Sequence, residues 1–212
     1  MPIFITGIDT NIGKTLVSAW ICLKAGFAYF KPIQAGTTPE TDTEAVKRLS
    51  GACTYPESFV LKLPASPHLA AAAENKRIDC ESIKLPQKDR LVVEGAGGAL
   101  VPLNETQLMG DLMQKLQLPT LVVTHSKLGT FNKTLLTLEA LRRRDIGVLG
   151  LVVSGPFDPQ TLETFEHYGR VPVLGHLPLL RTLDRKALEA VPLSPKLKKA
   201  LYDTPKRNIL QA

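Results

Sequence analysis

The segment FITGIDTNIGKT (residues 4–15) is the strongest indication of the fold. A short apolar segment leads into Gly7, five residues separate Gly7 from Gly13, and Lys14 and Thr15 open a helical pattern. This order is typical of a phosphate-binding loop, in which backbone N–H groups and the positive end of the helix face an anion. Lys14 can then reach phosphate oxygens, and the Thr15 hydroxyl can join the coordination shell of Mg²⁺. The loop is one residue longer than the common pattern, but the flanking strand and helix support the same interpretation.

Strand-like and helix-like segments alternate along the rest of the chain. Strands are predicted at residues 2–6, 27–33, 90–94, 120–124, 148–154 and 171–175. Helices are predicted at residues 15–24, 43–49, 107–116, 131–144 and 159–168. Most strand segments are apolar throughout, as expected where helices cover both faces of a parallel sheet. The sequence therefore predicts an α/β, three-layer P-loop NTPase fold with a mostly parallel sheet flanked by helices.

Length and composition indicate one domain. The chain has 212 residues, of which 44% are hydrophobic, and we expect a single domain over residues 1–212. Residues 181–212 form a polar, basic segment in which we predict a short helix near residues 195–202 and then a loose end. No apolar run approaches the about 20 residues of a membrane span, and no basic leader precedes the first strand. We therefore expect no membrane partner and a cytoplasmic location.

The formal net charge of +6 raises the possibility of a nucleic-acid partner. The basic residues are dispersed, however, and no aromatic residues interleave with them. We therefore expect no nucleic-acid partner, since attraction of anionic small substrates explains the charge equally well. No Cys-x-x-Cys pair is present, which argues against a zinc site or a disulfide framework.

A second candidate site element is RLVVEGAGGAL (residues 90–100), in which apolar residues lead to Glu94. Ligands of open parallel sheets bind beyond the carboxyl ends of the strands, where we predict Glu94 to lie. A carboxylate there can hold Mg²⁺ directly or through water, and the glycines that follow allow a ligand to approach the backbone closely. The alternative is a strand-end carboxylate beside a flexible turn.

A third candidate element is FKPIQAG (residues 30–36), in which Lys31 ends or nearly ends the second predicted strand. Lys31 is then a fixed positive charge at the same sheet edge as the phosphate loop, although by itself it also reads as a surface lysine. Asp42 has two interpretations as well. It can bind a metal, or it can serve only at the start of a helix, beside the capping box formed by Thr41 and Glu44.

Together these motifs resemble those of the ATP-dependent dethiobiotin synthetases of biotin biosynthesis. The matching motifs are GIDTNIGKT (residues 7–15), Lys31-Pro32, Asp42, SPH (residues 66–68), VEGAGG (residues 93–98) and Lys127-Leu128-Gly129 followed by Asn132. The resemblance covers residues 3 to about 180. It implies that one amine of 7,8-diaminononanoate captures CO₂ to form a carbamate, which attacks the γ-phosphate of ATP. The second amine then closes a cyclic urea on the carbamic-phosphoric anhydride, with release of ADP and phosphate.

The resemblance also implies roles for individual residues. Lys14 and Lys31 are the catalytic candidates, and Thr15, Asp42 and Glu94 are the Mg²⁺ candidates. The nucleotide-binding candidates are Asn11, Ile12, Gly13, Lys14, Thr15, Leu16, Asp42, Glu94, Gly95, Ala96, Gly97, Ser154, Gly155, Leu177, Pro178 and Leu179. The substrate-binding candidates are Thr10, Asn11, Lys31, Ala35, Thr37, Gly129, Thr130, Phe131 and Asn132. The last four are expected to receive the substrate carboxylate across the interface of a homodimer.

Two positions depart from the family pattern. Ala35 stands where many relatives carry a hydroxyl that touches the substrate, so Thr37 or Thr38 is expected to replace that contact unless it is lost. Ser154-Gly155 stands where many relatives carry Asn-Asp to read adenine, which leaves the base selectivity open. The implied mechanism assigns no step to a histidine, and we expect structural roles for His68 and His125.

Two other functions remain open from the sequence. A dimerising switch ATPase of the partition or cell-division type shares the fold, but such proteins carry an additional lysine early in the phosphate loop, where this chain has Ile8, Asp9 and Thr10. A non-catalytic nucleotide-binding module is the second alternative. The joint presence of the charged candidates at positions 14, 31, 42 and 94 argues against it.

Overall fold

The computed structural model describes residues 1–202, so the loose end predicted for the C-terminal segment lies outside the described residues. The strands are β1 (Ile3–Gly7), β2 (Ala28–Phe30), β3 (Ile33–Ala35), β4 (Thr54–Tyr55), β5 (Phe59–Leu61), β6 (Leu91–Gly98), β7 (Thr120–Thr124), β8 (Val148–Ser154) and β9 (Val173–Leu177). The helices are α1 (Lys14–Ala25), α2 (Asp42–Ser50), α3 (Pro67–Ala73), α4 (Met109–Leu116), α5 (Thr130–Arg142), α6 (Pro159–Gly169), α7 (Arg185–Glu189) and α8 (Pro195–Tyr202). Within residues 1–202, no helix has both the length and the apolar character that crossing a membrane requires.

Seven strands form one sheet in the order β4-β2-β6-β1-β7-β8-β9, and the pairs in it are parallel. Apolar side chains fill both faces of this sheet. One core packs β-strand residues such as Phe4 and Val93 against α3, α4, α5 and α6, and the other packs residues such as Ile5 and Val92 against α1, α2, α7 and α8. The predicted three-layer α/β fold is therefore confirmed, with β1 and its phosphate loop at the centre of the sheet.

The single strand predicted at residues 27–33 is wrong. The structure ends β2 at Phe30 and begins β3 at Ile33, and β3 pairs with β5 in a separate two-stranded sheet. Pro32 explains the break, because proline has no N–H to donate to a strand ladder. As a consequence, Lys31 lies between the two sheets, directly after Phe30, the last residue of β2 that pairs in the main sheet.

Two further strands differ from the predictions by two residues or more at one end. Strand β6 does not end at Glu94 but continues to Gly98, since it keeps pairing with β1 across an irregularity between Ile5 and Gly7. Strand β9 begins and ends two residues later than predicted, after Pro172. The helix predicted near residues 195–202 is present as α8, whereas the short elements α3, α7, β4 and β5 were not predicted.

Candidate functional site

The phosphate loop joins β1 to α1, and its geometry depends on glycine. Gly13 is the residue before α1 and has a φ of 95°, a left-handed backbone conformation that residues other than glycine rarely adopt. A β-carbon at Gly13 would also lie 2.4 Å from the hydroxyl oxygen of Ser154. No side chain caps the start of α1, so an anion is a suitable partner for this helix end.

Lys14 is buried at the head of α1, and its Nζ donates to the carbonyl oxygen of Asp9 at 3.0 Å. Burial lowers the pKa of Lys14, and Glu94 partly opposes that shift. The lysine therefore folds back over the loop, where it can exchange its contact with a carbonyl for a contact with phosphate.

The order of the strands brings the distant candidates to this loop. Strand β6 lies between β1 and β2, so Glu94 and Lys31 are placed beside the phosphate loop. Side chains alternate between the two faces of a sheet, and Tyr29 and Val92 belong to the core on the α1 side. The same alternation places Lys31 and Glu94 on that side, next to α1 and α2.

Glu94 is 1% exposed and is the centre of a hydrogen-bond network. Its Oε1 accepts from the Thr15 hydroxyl at 2.9 Å and from Lys31 Nζ at 3.3 Å. Its Oε2 accepts from the Ser18 hydroxyl at 2.7 Å and from the Tyr29 hydroxyl at 3.0 Å. A buried carboxylate needs such partners, because its own desolvation is costly.

Lys31 is 3% exposed and forms ion pairs with both acidic candidates. Its Nζ lies 2.6 Å from Asp42 Oδ2 and 3.3 Å from Glu94 Oε1. Burial by itself lowers the pKa of Lys31, but the attraction of Glu94 and Asp42 outweighs it, and the pKa lies above its ordinary value. Lys31 is therefore a fixed, buried cation and not a surface lysine.

Asp42 is the first residue of α2, but Thr41 is the residue that caps the helix. The Thr41 side chain accepts from the backbone N–H of Glu44, and Glu44 bonds back to Thr41. Asp42 instead accepts from the Thr15 hydroxyl at 2.9 Å and pairs with Lys31. Burial raises the pKa of Asp42, but Lys31 outweighs it and holds the pKa below its ordinary value. Asp42 therefore does more than begin the helix, since its carboxylate joins Thr15 and Lys31 in the charged cluster, while its metal-binding role stays a prediction.

These groups line one cleft of about 780 Å³. Of the sequence candidates, it contains Thr10, Asn11, Gly13, Lys14, Thr15, Leu16, Lys31, Ala35, Asp42, Glu94, Ala96 and Gly97. Apart from Thr38, its other lining residues, which the sequence did not single out as binding candidates, are Gln34, Gly36, Glu40, Pro64, Ala65, Ser66, Pro67 and Val101. Of the two threonines proposed to replace the hydroxyl missing at Ala35, Thr38 lines the cleft and Thr37 does not.

The candidates for contact with the base lie outside the lining of this cleft. Ser154 is buried behind the phosphate loop against Gly13, and the N–H of Gly155 donates to the Leu177 carbonyl at 2.8 Å. Leu177 is buried and Leu179 is exposed. The ends of β8 and β9 thus meet beside the phosphate loop, but the Ser154 side chain is buried and does not line the cleft. Apart from the four candidates at residues 129–132, the other candidates that do not line the cleft are Ile12, Gly95, Thr37 and Pro178.

The four candidates for binding the substrate carboxylate lie at the start of α5, away from the cleft lining. Gly129 precedes the helix, and no side chain caps it. The Thr130 hydroxyl donates to backbone carbonyls, and Phe131 packs on Phe165 with ring centroids 4.7 Å apart. Asn132 is exposed, so of the three side chains here only its amide is turned outward.

Sequence reasoning missed three residues that hold the charged cluster together. Ser18 lies one helical turn beyond Lys14, so the period of α1 could have placed it on the same face. Tyr29 lies in β2, two positions before Lys31, so the alternation of side chains along a strand could have placed both on the same face. The Gln34 amide donates to the Gly36 carbonyl at 2.7 Å and accepts from the Asp42 N–H at 3.2 Å. No local pattern indicates that contact.

Oxygen atoms are the donors available for a metal ion in the cleft. Among residues 1–202, no group of three or more His, Cys, Asp or Glu side chains is arranged to hold a metal. Mg²⁺ in nucleotide sites, however, takes one or two carboxylates and completes its shell with phosphates and water. The Thr15 hydroxyl lies 2.9 Å from oxygens of both Asp42 and Glu94, and this donor set fits Mg²⁺.

Comparisons with known proteins identify the family of this chain. A family model described as an AAA domain matches residues 2–187. An ATP-dependent dethiobiotin synthetase from Lawsonia intracellularis is 43% identical over 198 residues, covering 93% of this chain and 98% of the relative. One from Paramagnetospirillum magneticum is 48% identical over 192 residues, covering 90% and 94%.

The solved structure of the septum site-determining protein MinD from Pyrococcus horikoshii, complexed with Mg-ADP, has a TM-score of 0.50 and covers 97% of this chain and 91% of that chain. At 16% identity, this similarity shows the fold alone. The close relatives share far more of their sequence with this chain, over nearly its whole length. The chain belongs to the family of ATP-dependent dethiobiotin synthetases, ligases that form a carbon–nitrogen bond.

Proposed function

We propose that this protein converts 7,8-diaminononanoate, CO₂ and ATP into dethiobiotin, ADP and phosphate. The observation that carries the proposal is the buried cation Lys31, which lines the same cleft as the phosphate loop and Lys14. A loop that only binds nucleotide needs no second buried lysine from another strand. A reaction between two anions does need one.

The electrostatic problem is the meeting of a carbamate and a triphosphate. At about 4 Å and an effective dielectric constant of about 20, each pair of like charges costs roughly 4 kcal/mol. Lys14 and Lys31 offset this repulsion and stabilise the charge that grows in the transition state. Both side chains are buried. Lys31 is held by its ion pairs, and Lys14 exchanges its bond to the Asp9 carbonyl for a bond to phosphate when the nucleotide binds.

Thr15, Asp42 and Glu94 are the residues that would hold Mg²⁺. The ion, when bound, neutralises phosphate charge during phosphoryl transfer. The chain itself positions the reactants. The backbone N–H groups of the loop at Thr10 and Asn11 would bind the carbamate, with the Thr10 N–H giving up its present hydrogen bond to Asp9 Oδ1 at 2.8 Å, and the start of α1 binds phosphate. Lys31 directs the carbamate oxygen toward the γ-phosphate.

The substrate amines are recognised without the hydroxyl that is absent at Ala35. Thr38 lines the cleft and Thr37 does not, so of the two proposed substitutes the geometry supports Thr38. For the base, Ser154-Gly155 offers no amide side chain, and the N–H of Gly155 and the carbonyls of both residues already have partners, which favours tolerance of several nucleoside triphosphates.

The carboxylate tail binds at the start of α5 of a second subunit in a symmetric homodimer. Leu128, just before this helix start, is fully exposed, and Leu136, further along α5, is more than half exposed, so apolar side chains are available for a subunit contact. A carboxylate suits a helix start that no side chain caps. The proposal predicts a dimer in solution at assay concentrations.

The test is incubation with the diamine, bicarbonate, Mg²⁺ and each nucleoside triphosphate, with phosphate and ureido product measured together by colorimetry and mass spectrometry. We expect phosphate release that requires the diamine, bicarbonate and Mg²⁺ together. Release that ignores the diamine would instead support the switch ATPase. Nucleotide binding without any turnover would support the non-catalytic module.

A further inference from the structure

The motif Ser66-Pro67-His68 has no part in the scheme above, although the cleft reaches it. Ser66 and Pro67 line the cleft together with Lys14 and Lys31. Ser66 therefore borders the same cleft as the two lysines. Pro67 is buried and fixes the backbone on which this hydroxyl is held.

The Ser66 hydroxyl is held by a histidine. Ser66 precedes α3, a position where serine usually accepts a bond from the helix backbone, but its side chain makes no such bond. Instead, Ser66 Oγ lies 3.0 Å from His68 Nδ1. With the ring proton on Nε2, Nδ1 is an acceptor, and the serine hydroxyl donates to it.

His68 does not line the reaction cleft. It lines a second cavity of about 160 Å³, with Lys76, Arg77 and Glu105 as the charged groups there. Arg77 pairs with Glu105 at 3.0 Å, and Lys76 pairs with Glu74 at 2.7 Å. The hydrogen bond between Ser66 and His68 therefore connects the cleft to a separate cavity, and this arrangement suits the transfer of a proton out of the cleft.

We propose that Ser66 and His68 accept the proton that the second amine loses when the urea ring closes, an inference that rests on the function proposed above. The amine lone pair forms the new C–N bond, and the C–O bond to phosphate breaks with its electron pair on the departing phosphate. The amine proton passes to Ser66 Oγ as the Ser66 proton passes to His68 Nδ1. Ser66 is then a catalytic residue, and His68 acts through it.

The test compares urea formed with ADP formed in Ser66→Ala and His68→Asn, assayed with diamine, bicarbonate, ATP and Mg²⁺. Asparagine keeps a hydrogen-bonding atom near the Nδ1 position but cannot take a proton. Because positioned acid–base groups contribute about 100-fold or more, we expect the urea formation rate to fall by at least about 100-fold. ADP formation should continue, since the lysines are intact and the anhydride then reacts with water.

Two further variants separate catalysis from structure. Ser66→Thr keeps the hydroxyl and should keep most of the urea formation, and His167→Asn, an exposed histidine on α6, should match the unaltered protein. Urea and ADP formed in equal amounts and at normal rates by His68→Asn would overturn the relay. An unaltered protein that makes no urea at all would overturn the proposed function itself, and the relay with it.

Discussion

Two ion pairs flank the same phosphate loop, and they differ in burial far more than in distance. The pair of Lys31 with Glu94 has a separation of 3.3 Å and side chains 4% and 1% exposed. The pair of Lys133 on α5 with Asp9 in the loop has a separation of 2.5 Å and side chains 54% and 50% exposed. If distance alone set the strength of an ion pair, the pair of Lys133 with Asp9 would be the stronger one.

Burial reverses that ranking. Exposed pairs contribute about 0–1 kcal/mol, because water and salt screen them. A buried pair is weak evidence of net stability, but the loss of one partner leaves the other as an uncompensated buried charge. The comparison thus predicts that function and stability depend on the cluster of Lys31, Glu94 and Asp42, and only slightly on Asp9 and Lys133.

The largest expected effect is that of Lys31→Ala on turnover. We expect kcat to fall by about 1000-fold or more, roughly 4 kcal/mol, because the stabilising cation at the reaction centre is lost. Nucleotide binding measured by calorimetry should persist, since the loop and Lys14 are unchanged. Lys133→Ala is the matched lysine control. Normal turnover in Lys31→Ala would remove Lys31 from the mechanism.

Glu94→Gln tests the same cluster from its acidic side. We expect a loss of about 3 kcal/mol in the free energy of unfolding, because Lys31 keeps only the partly exposed Asp42 as a partner. Chemical denaturation measures this loss, and Glu105→Gln, which breaks the exposed pair with Arg77, is the control. A loss as small as that of the control would show that burial does not set the energy here.

Tyr29→Phe removes one hydrogen bond to Glu94 and leaves the ring in place. Burial holds the pKa of Tyr29 well above its ordinary value, so its hydroxyl remains a donor throughout the usual pH range. We expect a loss of about 1–2 kcal/mol in unfolding free energy. The exposed Tyr168→Phe should change it by less than about 0.5 kcal/mol.

The pH dependence of stability gives a smaller effect with a fixed sign. The pKa of Asp42 is lowered, so its contribution is present above its ordinary pKa of 3.8 and is lost as the pH falls through the lower folded value. The pKa of Lys31 is raised from 10.5, so its contribution is present below 10.5 and is lost as the pH rises through the higher folded value. Asp42→Asn should therefore flatten the acid side of the stability profile, measured by denaturation between about pH 2 and about pH 5.

The smallest expected effect is that of Asp9→Asn. We expect a change of at most about 1 kcal/mol in unfolding free energy, which should shrink further as salt is added because the pair is half exposed. Denaturation at low and high salt measures it. A loss larger than that of Tyr29→Phe would contradict the ranking by burial.

Local patterns predicted the parts of the site that lie close together in the chain. The glycine spacing and Lys14-Thr15 predicted the loop, and Thr41 with Glu44 predicted the start of α2, because each depends on neighbours within one turn. The strand break at Pro32 also had a local cause, and its consequence for residues 27–33 was missed. The continuation of β6 beyond Glu94 had no local signal, since it depends on pairing with β1.

The phosphate loop, the alternation of strands and helices and the charged candidates can be read from the sequence, since these depend on spacing and residue type. The gathering of four partners around Glu94 depends on the three-dimensional arrangement of the strands. These partners lie 63, 65, 76 and 79 positions away from it along the chain. Such contacts form because β6 lies between β1 and β2. The side chains that β2 and β6 direct toward α1 are then buried together. No local periodicity specifies which strands become neighbours, because pairing is set by the free energy of the whole core.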